Sequence, residues 1–511
     1  MAFFRSFFTV SFFILISRIF GFIRDILIAR YIGVSVVSDA FFAAFRLPNF
    51  FRRVFAEGAF NSAFVPLFIE KIADKKGKKY ETDFLNNIFS LLLYVLLVFV
   101  LIFQIFMPFL MKMLFPGFFD DAIKSELLID LSRITIFYLI FVSMVSLLSG
   151  VLNSVKKFAV PASSPVILNV TLIFSMLLAS KFFPNFALAL SWGIFIAGIL
   201  QFAWLMFFTY KAGFLIYPKS PIINADVKRF FKKLVPGIIG ANVMQLNLLI
   251  DSIFASMYFG ALSYLYYADR INQLPLAMIG IAIGIALLPN LSNKIKTGKK
   301  EEAILLQNQA IQFCLALSIP AAFALNLISV PIISTLFENG QFGPEQTKNV
   351  AKALSLFAIG LPAYVLVKVL EPAFFSRSNT KAPMKIAIFC LCSNVFFNLI
   401  FFSIKFGFLG IVISSVVSSY LNLLIMLGIL LRKKYLIINR EIYIKTLKIL
   451  ISAFLMGFVL TFSHNSLLAL NQILQLIIVI FLGLTIYFTS ILILGVYDLK
   501  ELKNLTSKKF N

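Results

Sequence analysis

Long runs of apolar residues, separated by short polar segments, make up most of this sequence. A helix needs roughly 20 apolar residues to cross a lipid bilayer, and most of the runs reach that length. The pattern therefore predicts an all-α polytopic membrane protein with fourteen transmembrane helices. The predicted helices cover residues 7–31, 35–70, 84–112, 127–154, 160–181, 186–209, 232–258, 262–290, 303–332, 346–373, 384–404, 408–431, 444–463 and 470–495.

The composition excludes several other classes of protein. Of the 511 residues, 60% are hydrophobic and 13% are charged, whereas soluble domains average about 45–50% apolar and about 25% charged residues. A secreted enzyme, a single-span anchor and a nucleic-acid-binding domain are therefore excluded. No nucleic acid partner is expected, although the net charge is +24. The three cysteines lie inside apolar runs, which argues against disulfides and thiolate metal sites.

Positive charge alternates along the connections between the predicted helices. Clusters of Lys and Arg follow the even-numbered helices, for example within 71–79, 294–300 and 432–448, and few cations follow the odd-numbered helices. Because cytoplasmic loops of membrane proteins collect Lys and Arg, this pattern places both termini in the cytoplasm.

The two halves of the chain share features at a nearly constant separation. The matching pairs are Gly33 with Gly260, Pro48 with Pro275, Pro66 with Pro289, and Asn169 with Asn394. Two six-helix halves explain these pairs, and an even number of helices gives both halves one orientation, as in parallel-repeat transporters. We predict an N-terminal lobe at 1–210, a cytoplasmic linker at 211–226, a C-terminal lobe at 227–432, and helices 13 and 14 with a cytoplasmic tail at 433–511.

Charged residues inside the predicted helices are the strongest functional signal, because an arginine at a helix centre costs roughly 2.5–3.5 kcal/mol on insertion scales. Such side chains must line a wet cavity or pair with one another. The main ones are Arg18, Arg24 and Asp25 in the first helix, Asp39, Arg46, Arg52, Arg53 and Glu57 in the second, Asp251 in the seventh, and Asp269 and Arg270 in the eighth. A spacing of seven residues also places Ser263 on the helix face of Arg270.

Arginines outnumber acidic residues in this set, which favours an anionic ligand. A guanidinium presents a planar fork of donors that matches carboxylate or phosphate oxygens, so a phosphate-bearing substrate is the natural candidate. For each single residue, a salt bridge that only locks two helices together is the alternative. The acidic candidates for gates or ion pairs are Asp25, Glu57 and Asp269, and the spacing of Glu57 from Arg53 suits a pair within one helix.

Several long motifs occur in order along the chain: SRIFGFIRD at 17–25, SDAFF at 38–42, LPN at 47–49, RRVFAEGAF at 52–60 and YYADR at 266–270. Together they resemble the MurJ (MviN) lipid II flippases of the multidrug/oligosaccharidyl-lipid/polysaccharide exporter (MOP) superfamily. The resemblance implies a MATE-like fold, in which two six-helix lobes surround a central cavity. Helices 13 and 14 would form a hydrophobic groove for a polyprenyl tail.

The resemblance also implies a function. The chain would carry lipid II, an undecaprenyl-diphosphate-linked disaccharide pentapeptide, from the cytoplasmic to the outer leaflet of a bacterial inner membrane by alternating access. The substrate-binding candidates are Arg18, Arg24, Asp39, Arg52 and Arg270 at the family's essential cavity positions, with Ser263 lining the cavity and Arg53 beside Arg52. The arginines would hold the diphosphate.

Three other functions are alternatives at this point, and the sequence argues against the second of them, a glycan polymerase. The first is a flippase for another undecaprenyl-diphosphate-linked glycan. A glycan polymerase would need acidic catalytic residues on a large outer loop, whereas the longest one, about 113–126, offers only Asp120, Asp121 and Glu126. A scaffold that recruits cell-wall synthesis enzymes predicts dispensable arginines. With one histidine and no Walker-type glycine loop, we expect a transporter and not an enzyme.

No cofactor is expected, and two driving forces are candidates. Some relatives resemble sodium-coupled transporters, and the corresponding candidate ligands here are Asp251, Asn394, Asn398 and Ser414. Only Asp251 among them has a formal negative charge, and interhelical hydrogen bonds are the alternative role for these side chains. The membrane potential is an equal candidate, because it contributes about 2.3 kcal/mol per charge per 100 mV.

Overall fold

The computed structural model of the protein describes residues 2–56, 59–74, 77–241, 243–466 and 471–497. In these ranges the regular secondary structure is helical and no strand occurs. The chain divides into two units. Unit 1 comprises Met1–Ser263 and Asn339–Phe342, and unit 2 comprises Tyr264–Glu338 and Gly343–Asn511.

Unit 1 is a bundle of long helices. In the described ranges its helices are α1 (Ala2–Ile32), α2 (Val36–Ala56), α3 (Ala59–Ala73), α4 (Lys78–Leu114), α5 (Ala122–Thr135), α6 (Tyr138–Ser154), α7 (Ala159–Phe182), α8 (Phe186–Lys211), α9 (Ala225–Ala241) and α10 (Val243–Ser256), with a short 3-10 turn at Pro116–Phe118. α7 packs against both α1 and α8, and α3 packs against α9. Stacked phenylalanine rings, among them Phe64 and Phe84 at 6.1 Å, fill the space between α3 and α4.

Unit 2 contains the remaining helices, except that the first three residues of its first helix belong to unit 1. Those described are α11 (Ala261–Pro275), α12 (Ala282–Lys296), α13 (Lys300–Leu327), α14 (Ser329–Phe337), α15 (Pro344–Phe375), α16 (Lys381–Ser403), α17 (Leu409–Arg432), α18 (Arg440–Ser466) and α19 (Gln472–Ile493), and a π-helical turn at Leu276–Ile281 joins α11 to α12. α15 is central, because it contacts α12, α13, α14 and α17. Alanines that are almost fully buried, such as Ala353 and Ala363, allow these close approaches.

The observed helices agree with the hydrophobic pattern. Among the described residues, 11 helical segments are long and apolar enough to cross a membrane. The 11 segments do not include the predicted spans at 7–31, 35–70 and 232–258. Each of these three spans carries several charged residues or includes residues outside the described ranges. The all-helical, polytopic class is confirmed, whereas the number fourteen and the predicted domain limits stay predictions.

The connector between α8 and α9 is extended and is held on α4 by buried polar side chains. Asn87, which is 4% exposed, donates to the carbonyl oxygen of Ile222 at 2.6 Å and accepts from its amide at 2.7 Å. Asn86 accepts from the Tyr217 amide at 3.2 Å and donates to the Leu215 carbonyl at 3.3 Å. These side chains supply the backbone partners that an isolated extended segment lacks.

Unit 2 contains a related arrangement. Asn308 on α13 donates to the carbonyl oxygen of Ile437, in the connector that follows α17, at 2.8 Å. In each predicted six-helix half, therefore, an asparagine on the third helix binds the backbone of the connector that follows the sixth helix. This correspondence favours the predicted internal repeat.

Ion pairs join α3 to the start of α9. Lys71 Nζ lies 2.8 Å from an Asp226 carboxylate oxygen, and Arg229 lies 2.8 Å from Glu70. Burial lowers the pKa of Lys71, but hydrogen bonds with Asp226 and Tyr80 raise it further, so this pKa lies above its ordinary value.

Candidate functional site

A buried ion pair occupies the part of α1 where two substrate-binding or gating residues are predicted. Arg24 is 8% exposed and Asp25 is fully buried. The Nε and Nη2 atoms of Arg24 donate to the same oxygen of Asp25, at 3.0 and 2.7 Å. The neighbouring carboxylate therefore offsets the charge of this arginine at short range.

Asn169 on α7 completes this cluster. Its Oδ1 accepts a hydrogen bond from Nη1 of Arg24 at 2.8 Å. Its Nδ2 donates to the carbonyl oxygen of Ser17 at 3.0 Å and contacts the Ser17 hydroxyl at 3.4 Å. One amide thus links two points of α1 that lie two turns apart.

Arg18, Arg46 and Arg52 have different surroundings. Arg18 is exposed and Arg52 is half-buried. Nε of Arg52 donates to Oδ1 of Asn49, one turn earlier on α2, at 2.9 Å. Arg46 donates to the carbonyl oxygen of Leu248 at 2.9 Å, which joins α2 to α10. Arg18 and Arg52 are therefore more accessible to a ligand than Arg24.

Asp39 and Ser263, both predicted to contact substrate, lie in direct contact at the start of α11. One carboxylate oxygen of Asp39 accepts from the amide and the hydroxyl of Ser263 at 2.9 and 2.6 Å, and the other accepts from the Gly260 amide at 2.8 Å. The first amides of a helix lack partners within the helix and carry partial positive charge. Asp39, which is 5% exposed, therefore caps α11 from another helix.

Arg270 and Asp269 lie on the part of α11 that belongs to unit 2, and both are half-buried. Asp269 accepts a hydrogen bond from Gln273 at 3.2 Å. The helix ends at Pro275 and continues into the π-helical turn, an irregularity that is frequent at functional sites. Past this turn, a Cβ at Gly284 would lie 2.7 Å from the Lys368 carbonyl oxygen, so the glycine permits close packing on α15.

Two predicted site residues cannot be placed in this way. Arg53 belongs to α2, but its side chain lies outside the described residues, and Glu57 lies outside them entirely. The ion pair predicted between them stays a prediction.

Three of the four candidate sodium ligands lie in unit 2 and are fully or almost fully buried. Asn398 donates to Oδ1 of Asn394 at 2.9 Å, and Asn394 donates to the hydroxyl of Ser415 at 3.2 Å. Ser414 instead donates to the Gly410 carbonyl of its own helix at 2.9 Å. The two asparagines therefore bind each other and α17, which is the hydrogen-bonding alternative weighed from the sequence.

The fourth candidate, Asp251, lies on α10 in unit 1 and is 8% exposed. Its carboxylate accepts a long hydrogen bond of 3.5 Å from Asn247, one turn earlier. In the part of the chain that the structure describes, no group of three or more His, Cys, Asp or Glu side chains could hold a metal ion. The sodium site stays a prediction.

The sequence of this chain matches one family along most of its length. The sequence profile described as "Lipid II flippase MurJ" matches residues 28–490. Relatives named "Probable lipid II flippase MurJ" from Rhizobium tropici and Rickettsia prowazekii are 36% and 39% identical to it. The alignments cover 100% of this chain and 97% of the first relative, and 99% of both chains for the second. The chain belongs to the lipid II flippase MurJ family.

Solved structures agree with this membership. The structure titled "Lipid II flippase MurJ, inward closed conformation" has a TM-score of 0.80 and is 28% identical, with 95% of this chain and 98% of that chain covered. An inward-facing MATE family transporter of the MOP superfamily has a TM-score of 0.67 at 14% identity, covering 81% of this chain and 94% of that chain, which shows a shared fold alone. The predicted family and the exporter-type fold are confirmed. The roles of individual side chains stay predictions.

Sequence reasoning did not select Asn169 or Ser415 as site residues, although both contact selected ones. In the sequence, Asn169 serves only as one of the matching positions that indicate the internal repeat. A usable signal was present, because an amide inside a membrane helix needs a partner, and charged residues on neighbouring helices are the obvious ones.

Proposed function

We propose that this chain moves lipid II from the cytoplasmic to the outer leaflet of a bacterial inner membrane by alternating access. The observation that carries the proposal is the match to lipid II flippases, which extends over residues 28–490. Two further observations support the proposal: 11 helical segments among the described residues are long and apolar enough to cross a membrane, and lipid II is the substrate that the family name states.

The arginines would bind the diphosphate of the substrate. Arg18 is exposed, and Arg52 and Arg270 are half-buried, so an anion can approach these guanidinium groups. Paired donors on a guanidinium match two phosphate oxygens. Arg24 already binds Asp25, so it would contribute a partly neutralised guanidinium group of fixed orientation.

Asp39 and Ser263 would contribute through helix position. The carboxylate of Asp39 accepts three hydrogen bonds at the start of α11, the helix that also carries Arg270. An intact cap would fix the start of this helix and thereby support the placement of Arg270, seven residues after Ser263.

The test is the exposure of lipid II on the outer leaflet of cells in which this chain is the only candidate flippase. Wild-type protein should expose lipid II, and Arg270→Ala should reduce exposure at least tenfold at equal protein level. Arg432→Ala is the matched control, because this arginine is exposed at the end of α17, and it should leave exposure unchanged.

Each outcome decides between functions. Exposure that does not depend on the chain would refute lipid II as the cargo and would favour another undecaprenyl-diphosphate-linked glycan. Full activity of Arg270→Ala would refute diphosphate binding by this arginine and would favour a scaffold that recruits cell-wall synthesis enzymes.

The driving force and the orientation are separate proposals. Either Na⁺, with Asp251, Asn394, Asn398 and Ser414 as its candidate ligands, or the membrane potential would drive the cycle. In vesicles, replacing Na⁺ by choline should stop transport only in the first case, and collapsing the potential with a potassium ionophore only in the second. Both termini would lie in the cytoplasm, so a C-terminal tag should be cleaved by protease only in inside-out vesicles.

A further inference from the structure

The hydrogen bond between Asn169 and Arg24 joins a neutral side chain of α7 to a charged side chain of α1. Asn169 is 6% exposed and lies on α7, in a predicted membrane span. A buried amide in such a place has a large desolvation penalty unless both its ends are bonded. Here both ends are bonded, and both reach α1.

The geometry constrains the guanidinium group of Arg24 from two sides. Its Nε and Nη2 atoms donate to Asp25, and its Nη1 atom donates to Asn169. Asp25 alone would leave Nη1 without this acceptor and would allow the plane of the group to turn about its carboxylate contact. With Asn169 in place, all three nitrogens of the planar group donate to fixed acceptors, and these contacts together define its orientation.

The other end of Asn169 is anchored independently of Arg24. Nδ2 donates to the Ser17 carbonyl oxygen at 3.0 Å, which can accept this bond in addition to its helical one because a carbonyl has two lone pairs. The amide is thereby held against the backbone of α1, and its Oδ1 atom stays directed at Arg24. The anchor lies next to Arg18, the exposed arginine of the same helix.

From these contacts we propose that Asn169 is a positioning residue, which orients the Arg24 guanidinium for binding the diphosphate of the substrate. The inference rests on the proposed function, because it assigns Asn169 to the same anion-binding set. Asn169 itself does not contact the substrate. It acts through Arg24, so its effect must disappear when Arg24 is absent.

The first experiment is a double-mutant cycle with purified full-length protein in nanodiscs, in which binding of a short-chain lipid II is measured. Asn169→Ala should weaken binding about tenfold, the scale of one hydrogen bond to a charged group. In an Arg24→Ala background, the same substitution should weaken binding less than twofold. The control is Thr171→Ala on α7, whose hydroxyl bonds the Ile167 carbonyl of its own helix, and binding should not change.

A second readout follows the guanidinium directly. With ¹⁵N-labelled arginine, NMR should show separate, slowly exchanging Nη signals for Arg24 in the wild type and in Thr171→Ala. Asn169→Ala should merge them, because rotation of the group becomes faster. The Arg24 signals are identified by their absence in Arg24→Lys.

The outcomes separate this inference from the proposed function. Equal weakening by Asn169→Ala in both backgrounds, or unchanged Arg24 signals in Asn169→Ala, would overturn the inference. A wild-type protein that binds no lipid II would refute the proposed function, and the inference would fail with it as a statement about substrate. The NMR comparison would still decide whether Asn169 orients Arg24.

Discussion

Replacing Asp39 by asparagine should destabilise the protein, although the side chain keeps its shape. In the wild type, two carboxylate oxygens accept hydrogen bonds from the Gly260 amide and from the amide and hydroxyl of Ser263. An asparagine retains one oxygen, so its NH₂ group must face one of the two backbone N–H groups. That N–H then loses its acceptor in a buried site, next to another donor.

The magnitude follows from two contributions. A buried N–H without an acceptor costs about 1–3 kcal/mol. The lost negative charge at a helix N-terminus adds about 0.3–1 kcal/mol. We therefore expect Asp39→Asn to lower the free energy of unfolding by about 2–4 kcal/mol.

The assay is denaturant unfolding of purified protein in one detergent, followed by tryptophan fluorescence. The matched control is Asn185→Ala, which removes an ordinary cap: Asn185 accepts from the Leu188 amide at 2.8 Å at the start of α8. Loss of such a cap costs typically about 1 kcal/mol. If Asp39→Asn costs no more than Asn185→Ala, the cap on α11 is not the main role of this carboxylate.

Three further predictions concern other parts of unit 1. Gly33→Ala should lower the melting temperature, because Gly33 has φ +62 and an added Cβ would lie 2.3 Å from the backbone oxygen of Gln341. The control is Gly77→Ala, which should lower the melting temperature less, since Gly77 also has a positive φ of +93 but open space around it. Equal losses in the two variants would contradict a steric clash at Gly33. The ion pair of Lys71 raises the pKa of its ammonium group above 10.5. The contribution of this pair to the free energy of unfolding should therefore be complete below pH 10.5 and should decline as the pH rises through the higher pKa of the folded state. Unfolding measurements on Lys71→Met should not show this pH dependence. Asn87→Ala should speed hydrogen exchange of the Ile222 amide at least tenfold, and unchanged exchange would show that the connector does not depend on this side chain.

Much of the fold follows from the sequence because the bilayer imposes a simple rule. A membrane helix must be apolar over about 20 residues and must satisfy its own backbone, so helix positions can be predicted from hydropathy alone. In the described ranges, eleven of the predicted spans coincide with helical segments that are long and apolar enough to cross a membrane. The end of α11 at Pro275 also follows from the local sequence, because proline has no backbone N–H and its ring clashes with the preceding turn of the helix.

The family was likewise determined by sequence. The motifs at 17–25, 38–42, 52–60 and 266–270 identified the flippase family, whereas the anionic ligand inferred from the surplus of arginine stays a prediction. The identification of the family depends on residue identity at fixed spacing and not on the path of the chain in space.

The contacts between polar groups on different helices are visible only in the folded chain. Asp39 caps a helix that begins more than 200 residues later, and Asn169 reaches Arg24 across 145 residues. Periodicity assigns a residue to one face of its own helix, but it does not determine which helix lies opposite, nor the rotation and height at which the two pack. A hydrogen bond requires placement to within a few tenths of an ångström, and this precision arises only when the whole bundle is assembled.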